Sequence, residues 1–162
     1  LKRCLLVERI PVEGSDKELV LINLHLEAYD SGEGKIAQTR MLADLMQSEL
    51  DRGNYVIAGG DFNQSFSSID TSMYPLQGNG LWECGEIDTT EFSGSWQFLM
   101  DTETPTCRSL DRPYDRSDPG FQFYMIDGFI VSDNIAVDSL ETIDLDFANS
   151  DHNPVAMTLT LK

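Results

Sequence analysis

The sequence predicts an α/β fold, in which a mixed and mostly antiparallel β-sheet packs against helices. Residues 3–10 and 18–26 are rich in Leu, Ile and Val and are predicted to be strands. Residues 34–52 are predicted to be a helix, and residues 55–59 a short buried strand. A hairpin followed by a helix and a strand is a β-β-α-β unit, which places the helix on one face of a mixed sheet.

Local signals support each of these elements in turn. Glu-Gly-Ser-Asp at residues 13–16 supplies turn chemistry between the first two strands. Gly53-Asn54 ends the helix. Within the helix, apolar side chains recur three or four residues apart, at Met41, Leu42, Leu45, Met46 and Leu50.

The rest of the chain is predicted to be an irregular segment followed by three strands. Residues 64–120 lack a clear period, with short helices near Thr71 and Trp96 and with Trp82 and Trp96 in the core. Since no internal repeat or linker is seen, residues 1–162 are predicted to form a single domain. The three strands are placed at residues 121–132, 135–145 and 155–161.

Composition narrows the class of function. The net charge is −17, from 11 basic and 28 acidic side chains, which argues against general coating of nucleic acid by Lys and Arg. A phosphate-ester substrate stays compatible, because a bound metal ion can supply positive charge locally. The cysteines Cys4, Cys84 and Cys107 form no CxxC, so neither a zinc knuckle nor a disulfide framework is indicated, and a Cys84–Cys107 bridge is not required. No run of 18 apolar residues indicates a membrane span.

Polar side chains cluster where predicted strands end. His25 shares one face with Leu19, Leu21 and Asn23 and closes its strand, where ligands of α/β sheets collect. The alternative is a structural histidine at the core or at an edge. Asp61 and Asn63 are two residues apart after Gly59-Gly60, which lets other groups approach closely, or else they form a turn that bonds its own backbone.

Two further clusters lie in the last third of the chain. Asp127 falls on the apolar face of the strand predicted at residues 121–132, so it needs a partner, and a histidine is the natural one. The alternative is an edge carboxylate that caps a neighbouring loop. Asp151 and His152 are adjacent at the start of the last strand, or lie in a simple turn before Pro154.

The order of these motifs resembles the second half of the endonuclease/exonuclease/phosphatase superfamily. The motifs are Asn-Leu-His at 23–25, Gly-Gly-Asp-Phe-Asn at 59–63, Ile-Asp-Gly-Phe at 126–129 and Ser-Asp-His-Asn-Pro-Val at 150–155. That family includes pancreatic-type deoxyribonucleases, exonuclease III-like repair enzymes, neutral sphingomyelinases and inositol polyphosphate phosphatases. The resemblance spans nearly the whole chain, and Gly-Asp-Phe-Asn and Ser-Asp-His are its most specific parts.

The resemblance implies half of a four-layer α/β sandwich and a hydrolase that uses Mg²⁺ or Mn²⁺ to cleave phosphoester bonds with an activated water. The family's first half would supply an Asn, a metal-ligating Glu and the other half of the sandwich. The chain begins at Leu1, directly in a strand pattern. We therefore expect it to be the C-terminal part of a longer protein, to expose an apolar face and to be inactive or nearly so without the N-terminal half.

The resemblance also implies roles for individual residues. Asp61 and Asn63 would bind the metal and position the water and the phosphate, with Asp151 as a further ligand. His152, oriented by Asp127, would contact the scissile phosphate, act in acid/base chemistry and lie at the metal. His25 would donate a hydrogen bond to a phosphoryl oxygen. Oxygen ligands suit Mg²⁺.

The substrate is less well determined. Arg108 and Arg112 are candidates for binding a substrate phosphate, unless they form local ion pairs with Asp111 and Asp115. Gly128 stands where deoxyribonucleases and inositol phosphatases commonly carry Arg, which disfavours a phosphatase. The substrate classes left open are a nucleic acid, a phospholipid headgroup and a sugar phosphate. A non-catalytic binding module on the same fold is the alternative function.

Overall fold

A computed structural model describes residues 3–29, 32–78 and 80–162 of the chain. A single-turn 3₁₀ helix covers Thr89–Glu91. The helix and strands follow one another as β1 Leu5–Pro11, β2 Glu18–His25, α1 Glu33–Asp51, β3 Tyr55–Asp61, β4 Gln64–Phe66, β5 Gly85–Ile87, β6 Trp96–Leu99, β7 Cys107–Arg108, β8 Phe123–Tyr124, β9 Asp127–Ser132, β10 Ile135–Thr142 and β11 Val155–Leu161.

Five of the described strands form the main sheet, in the order β1-β2-β3-β9-β6. β1 and β2 form the predicted antiparallel hairpin. β3 then lies parallel to β2, because α1 carries the chain back across the sheet between them. β9 pairs antiparallel with both β3 and β6. The mixed, mostly antiparallel sheet and the β-β-α-β unit are therefore confirmed.

One face of the sheet is covered by α1. Leu42 and Met46 on the helix are fully buried, and they pack in one apolar cluster with sheet residues such as Val20, Val56 and Ile130. The predicted apolar stripe is wrong at Met41, which is 67% exposed. At 3.6 residues per turn, Leu42, Met46 and Glu49 lie along one line of the helix and Met41 is rotated away from it.

Glu49 is a buried carboxylate at the end of α1. It pairs with Arg9 on β1 and with Arg52, and it accepts a hydrogen bond from Nδ2 of Asn54 at 3.0 Å. A buried charge is tolerated when it is paired and hydrogen-bonded in this way. The cluster ties the end of the helix to the hairpin.

Several predictions for residues 64–145 are wrong. Residues near Thr71 form turns, and Trp96 begins β6 rather than a helix. Trp82 and Trp96 are half-buried, and each packs against an apolar core cluster. The strand predicted at residues 135–145 ends at Thr142.

The strand predicted at residues 121–132 is divided into β8 and β9. The backbone N–H groups of Ile126 and Asp127 donate to Oγ1 of Thr106, at 3.1 Å each, in place of a neighbouring strand. The carbonyl of Ile126 accepts from the N–H of Phe62 at 2.9 Å. Asp127 consequently begins β9 and does not lie in the middle of a continuous apolar face.

The second face of the sheet is only partly covered. The β10–β11 hairpin packs Val137, Met157 and Leu159 against a cluster that contains Ile57 and Val131. Beside it remains an open groove of about 510 Å³, whose lining includes Leu6, Leu21, Ile57, Phe129 and Val155. This groove is largely apolar and open to solvent. Among the described residues, no helix has the length and apolar character needed to cross a bilayer.

Gly59 and Gly60 allow β3 to lie close to both of its neighbours. A Cβ at Gly59 would overlap the ring of Phe129, and one at Gly60 would overlap the backbone carbonyl of Leu24. Gly60 also has φ of 140°, which disfavours any residue with a side chain. The close approach that the sequence predicted for these two glycines is present in the structure.

We predict that Gly60→Ala lowers the free energy of unfolding by at least about 3 kcal/mol, because backbone strain adds to a clash that rigid backbone cannot relieve. Gly14→Ala is the matched control, since Gly14 also has positive φ but an added Cβ meets nothing within 4 Å. It should cost only about 1 kcal/mol. Urea unfolding of both variants checks this, and equal losses would contradict it.

Candidate active site

The sequence-predicted polar residues meet at one end of the main sheet. β3 pairs with β2 so that Asp61 lies opposite His25, and with β9 so that Asp61 lies opposite Asp127. Three strands therefore contribute three polar residues in one row. A cavity of about 370 Å³ opens beside this row, and its lining includes His25, Asp61, Asn63, Arg108, Asp151 and His152, together with Tyr29, Trp82 and Cys107.

Asp61 lies between the two imidazoles. Its Oδ2 is 3.4 Å from Nε2 of His25 and 3.9 Å from Nε2 of His152. The side chain of His25 is 58% exposed and that of Asp61 only 14%. The carboxylate thus lies at the bottom of the cavity, and His25 lies at its mouth.

Asp127 and His152 form a direct pair. Oδ2 of Asp127 lies 2.9 Å from Nδ1 of His152. Thr106 positions the carboxylate, because its Oγ1 accepts from the Asp127 N–H. The Thr106 carbonyl also accepts from the N–H of Asn153, at 2.8 Å, which holds the loop that carries His152.

Asp61 and Asn63 are brought together by a turn. β3 ends at Asp61, and Asn63 has φ of 52°, so the strand does not continue to Asn63. The Asn63 N–H donates to Oδ1 of Asp61 at 2.8 Å, and its Nδ2 donates to the carbonyl of Leu26 at 3.0 Å. The local structure is the self-bonding turn, and both side chains still line the cavity.

The pKa values of two groups are shifted by this arrangement. Burial, reinforced by the neighbouring Asp127 carboxylate, raises the pKa of Asp61. Burial disfavours the charged form of His152, but hydrogen bonds to Asp127 and Cys107 outweigh it and raise the pKa of His152 to about 11. A protonated imidazole and carboxylates therefore share a partly enclosed cavity.

Two sets of side chains in the described part of the chain could hold a metal ion. Ligand atoms of Asp61, Asp127 and His152 lie within 4.8 Å of one another, and so do those of Cys107, Asp151 and His152. His152 belongs to both sets. Asp151, predicted to bind the same ion as Asp61, falls in the set with Cys107, and Asp127, predicted to orient the ring of His152, falls in the set with Asp61.

The two arginine candidates, Arg108 and Arg112, differ in their position relative to the cavity. Arg108 lines the cavity, and its guanidinium lies over the ring of Tyr114, 5.3 Å from the centroid. Arg112 is not among the residues that line the cavity, and it pairs with Asp111 at 3.3 Å and Asp118 at 2.7 Å. The local ion-pair interpretation holds for Arg112, with Asp118 in place of the predicted Asp115.

Sequence reasoning assigned no role to Thr106, Cys107 or Asn153. Thr106 is fully buried, and no pattern around it marks it as the partner of residues twenty positions away. Asn153 lies within the Ser-Asp-His-Asn motif, which was a usable signal. Cys107 and Cys84 are both free thiols, so no bridge joins them.

The chain is similar in structure to several known proteins. Neither a family model nor a curated protein matches the sequence. An endonuclease/exonuclease/phosphatase structure from Beutenbergia cavernae DSM 12333 superposes with a TM-score of 0.64 at 22% identity, covering 99% of this chain and 40% of that chain.

Two TDP2 structures are also similar. D. rerio TDP2 complexed with single-strand DNA product superposes with a TM-score of 0.62 at 17% identity, covering 98% of this chain and 62% of that one. Truncated Caenorhabditis elegans TDP2 gives 0.51 at 20% identity, covering 94% and 58%. The chain thus spans less than two thirds of each of these structures. Over that span, the chain has the endonuclease/exonuclease/phosphatase fold.

Proposed function

We propose that the protein that contains this chain is a metal-dependent phosphoester hydrolase, with its active site in the cavity around Asp61. The observation that carries the proposal is the row His25–Asp61–Asp127, to which His152 is joined through Asp127. Carboxylates, an amide and cationic donors at one strand end are the groups that hold a divalent cation against a phosphate. The similarity to TDP2, one structure of which holds a single-strand DNA product, supports the same class of reaction.

The donor set fits Mg²⁺ or Mn²⁺. Asp61 and Asp127 place two carboxylates close together in a partly enclosed site, and burial, followed by the charge of Asp127, raises the pKa of Asp61. Asp61, Asn63 and Asp151 would hold the ion through oxygen atoms, and His152, which is protonated, would lie beside it. When bound, it supplies positive charge against the substrate phosphate and lowers the pKa of a water.

The side chains then have separate tasks. Asp61 and Asn63, fixed to each other by the turn, orient the attacking water and the phosphate. His152 is kept protonated and oriented by Asp127, so it can donate to the phosphate and transfer a proton. His25, at the mouth of the cavity, donates to a phosphoryl oxygen as charge develops there.

The lining of the cavity favours a nucleic-acid substrate over a phospholipid headgroup or a sugar phosphate. Arg108 can pair with a substrate phosphate. Tyr29, which is 80% exposed, and the half-buried Trp82 offer aromatic faces on which unpaired bases can stack. With a net charge of −17, the chain would bind a few nucleotides in the cavity rather than coat a long duplex.

We further propose that residues outside this chain complete the enzyme. The chain covers between 40% and 62% of the structures that it resembles. Its largely apolar groove of about 510 Å³ is open, which suits a second sheet supplied by an N-terminal half of the same protein. We expect the 162-residue chain alone to turn over slowly or not at all.

Hydrolysis of a generic phosphodiester, bis(p-nitrophenyl) phosphate, by the complete protein is expected to require Mg²⁺ or Mn²⁺ and to stop with a chelator. His152→Ala should lower kcat by about 10²- to 10⁴-fold, the usual contribution of a positioned acid or base. Asp138→Asn is the matched control, because Asp138 is exposed on β10 and bonds only Thr160 among the hydrogen bonds described. If no phosphoester is cleaved under any metal condition, the non-catalytic binding module is the better description.

Asp127→Asn is expected to lower the pKa of His152, because it removes the carboxylate that stabilises the charged ring. An NMR titration of the ring protons measures this, and Asp138→Asn should leave the His152 titration unchanged.

In the folded protein the pKa of His152 lies above the usual histidine value of 6.5. The pair therefore stabilises the fold fully below about pH 6.5, and this contribution is lost as the pH rises through the folded-state value. An unchanged His152 pKa in Asp127→Asn would contradict the assignment.

A further inference from the structure

Cys107, Asp151 and His152 form a second cluster beside the proposed active site. The Cys107 sulfur, an Asp151 carboxylate oxygen and a His152 ring nitrogen lie within 4.8 Å of one another. Cys107 and His152 are paired through an antiparallel backbone bridge, and the Arg108 N–H donates to the Asp151 carbonyl at 3.0 Å. Backbone pairing, rather than chance contact of flexible side chains, holds the three together.

We infer that this cluster is a binding site for a thiophilic divalent cation such as Zn²⁺. A thiolate, an imidazole and a carboxylate are three zinc ligands, and a zinc site with three protein ligands keeps a fourth position open. Mg²⁺ prefers oxygen ligands alone, so the cysteine distinguishes this site from the one around Asp61. The cluster lines the cavity, through which an ion can enter.

The ligand atoms of Cys107, Asp151 and His152 must move slightly closer together when the ion binds. Zinc–ligand bonds of about 2.0 to 2.3 Å in a tetrahedron place ligand atoms roughly 3.2 to 3.7 Å apart. From a limit of 4.8 Å, side-chain movements of about 1 Å are enough, and Asp151 is only half-buried. Asp127, which contacts Nδ1 of His152, provides the carboxylate partner that metal-bound imidazoles usually have.

Cys107 is suited to hold the ion rather than to react. It is only 6% exposed, and burial raises the pKa of its thiol. Binding of the ion displaces the proton of the Cys107 thiol and the proton of the His152 ring nitrogen that coordinates the ion. The charges of Asp127 and Asp151 act on Cys107 and attract a cation to it.

Occupation of this site has a consequence for the first one. His152 contributes to both clusters, so an ion held by Cys107 and Asp151 removes the imidazole from its position near Asp61. The two sites are then occupied one at a time, and Zn²⁺ acts as an inhibitor of the Mg²⁺ form. Zinc binding itself does not rest on the proposed hydrolase activity, because it is measured without turnover.

Titration of the chain with Co²⁺ as a spectroscopic probe tests the inference. We expect about one equivalent to bind with a thiolate-to-cobalt charge-transfer band, which Zn²⁺ abolishes by displacement and excess Mg²⁺ does not. Cys107→Ser should remove the band and weaken Zn²⁺ binding by at least about 10-fold. Cys84→Ser is the matched control, because Cys84 packs in the same apolar cluster but is not among the metal-capable groups, and it should keep the band.

A second variant keeps the test decisive if Cys107→Ser folds poorly. Asp151→Asn leaves the buried thiol in place, and it should retain the band while it weakens Zn²⁺ binding by about 10-fold. Thermal unfolding without metal establishes that each variant is folded. The inference is overturned if the parent chain shows no thiolate band, if folded Cys107→Ser keeps the band, if Cys84→Ser loses it, or if Asp151→Asn binds Zn²⁺ as tightly as the parent.

Discussion

The double pairing of β3 is the constraint on which the rest of the structure depends. Its parallel register with β2 and its antiparallel register with β9 place His25, Asp61 and Asp127 in one row. Gly59 and Gly60 make this possible, since a side chain at either position would overlap a neighbouring strand. A slip of one residue in either register would turn the polar side chain to the opposite face of the sheet.

Charges can lie close together at this row because each has a partner. Asp127 is held by Thr106 through its backbone and by His152 through its side chain, and Asp61 is held by the Asn63 turn. At the opposite end of the fold, the buried carboxylate of Glu49 is likewise stabilised by an ion pair, with Arg9. Partly buried charges without such partners would destabilise the fold.

Regular periodicity was a reliable guide to residues 3–61 and to β11. The hairpin, α1 and β3 carry strong local signals, and the structure confirms them. The errors lie where long-range contacts override the local pattern. β8 and β9 look continuous in sequence, but Thr106 takes the backbone donors between them. Trp96 begins an edge strand because β9 offers a free edge, which the sequence around residue 96 does not indicate.

The sequence by itself determined the fold class, the unit from β1 to β3, and the identity of the polar residues at strand ends. These follow from local periods, turn residues and motif order. Only the tertiary structure decided which of those residues meet, that Arg108 lines the cavity while Arg112 does not, and that Cys107 lies against His152. The physical reason is that these contacts depend on strand order and register, which are fixed by packing between segments far apart in the chain.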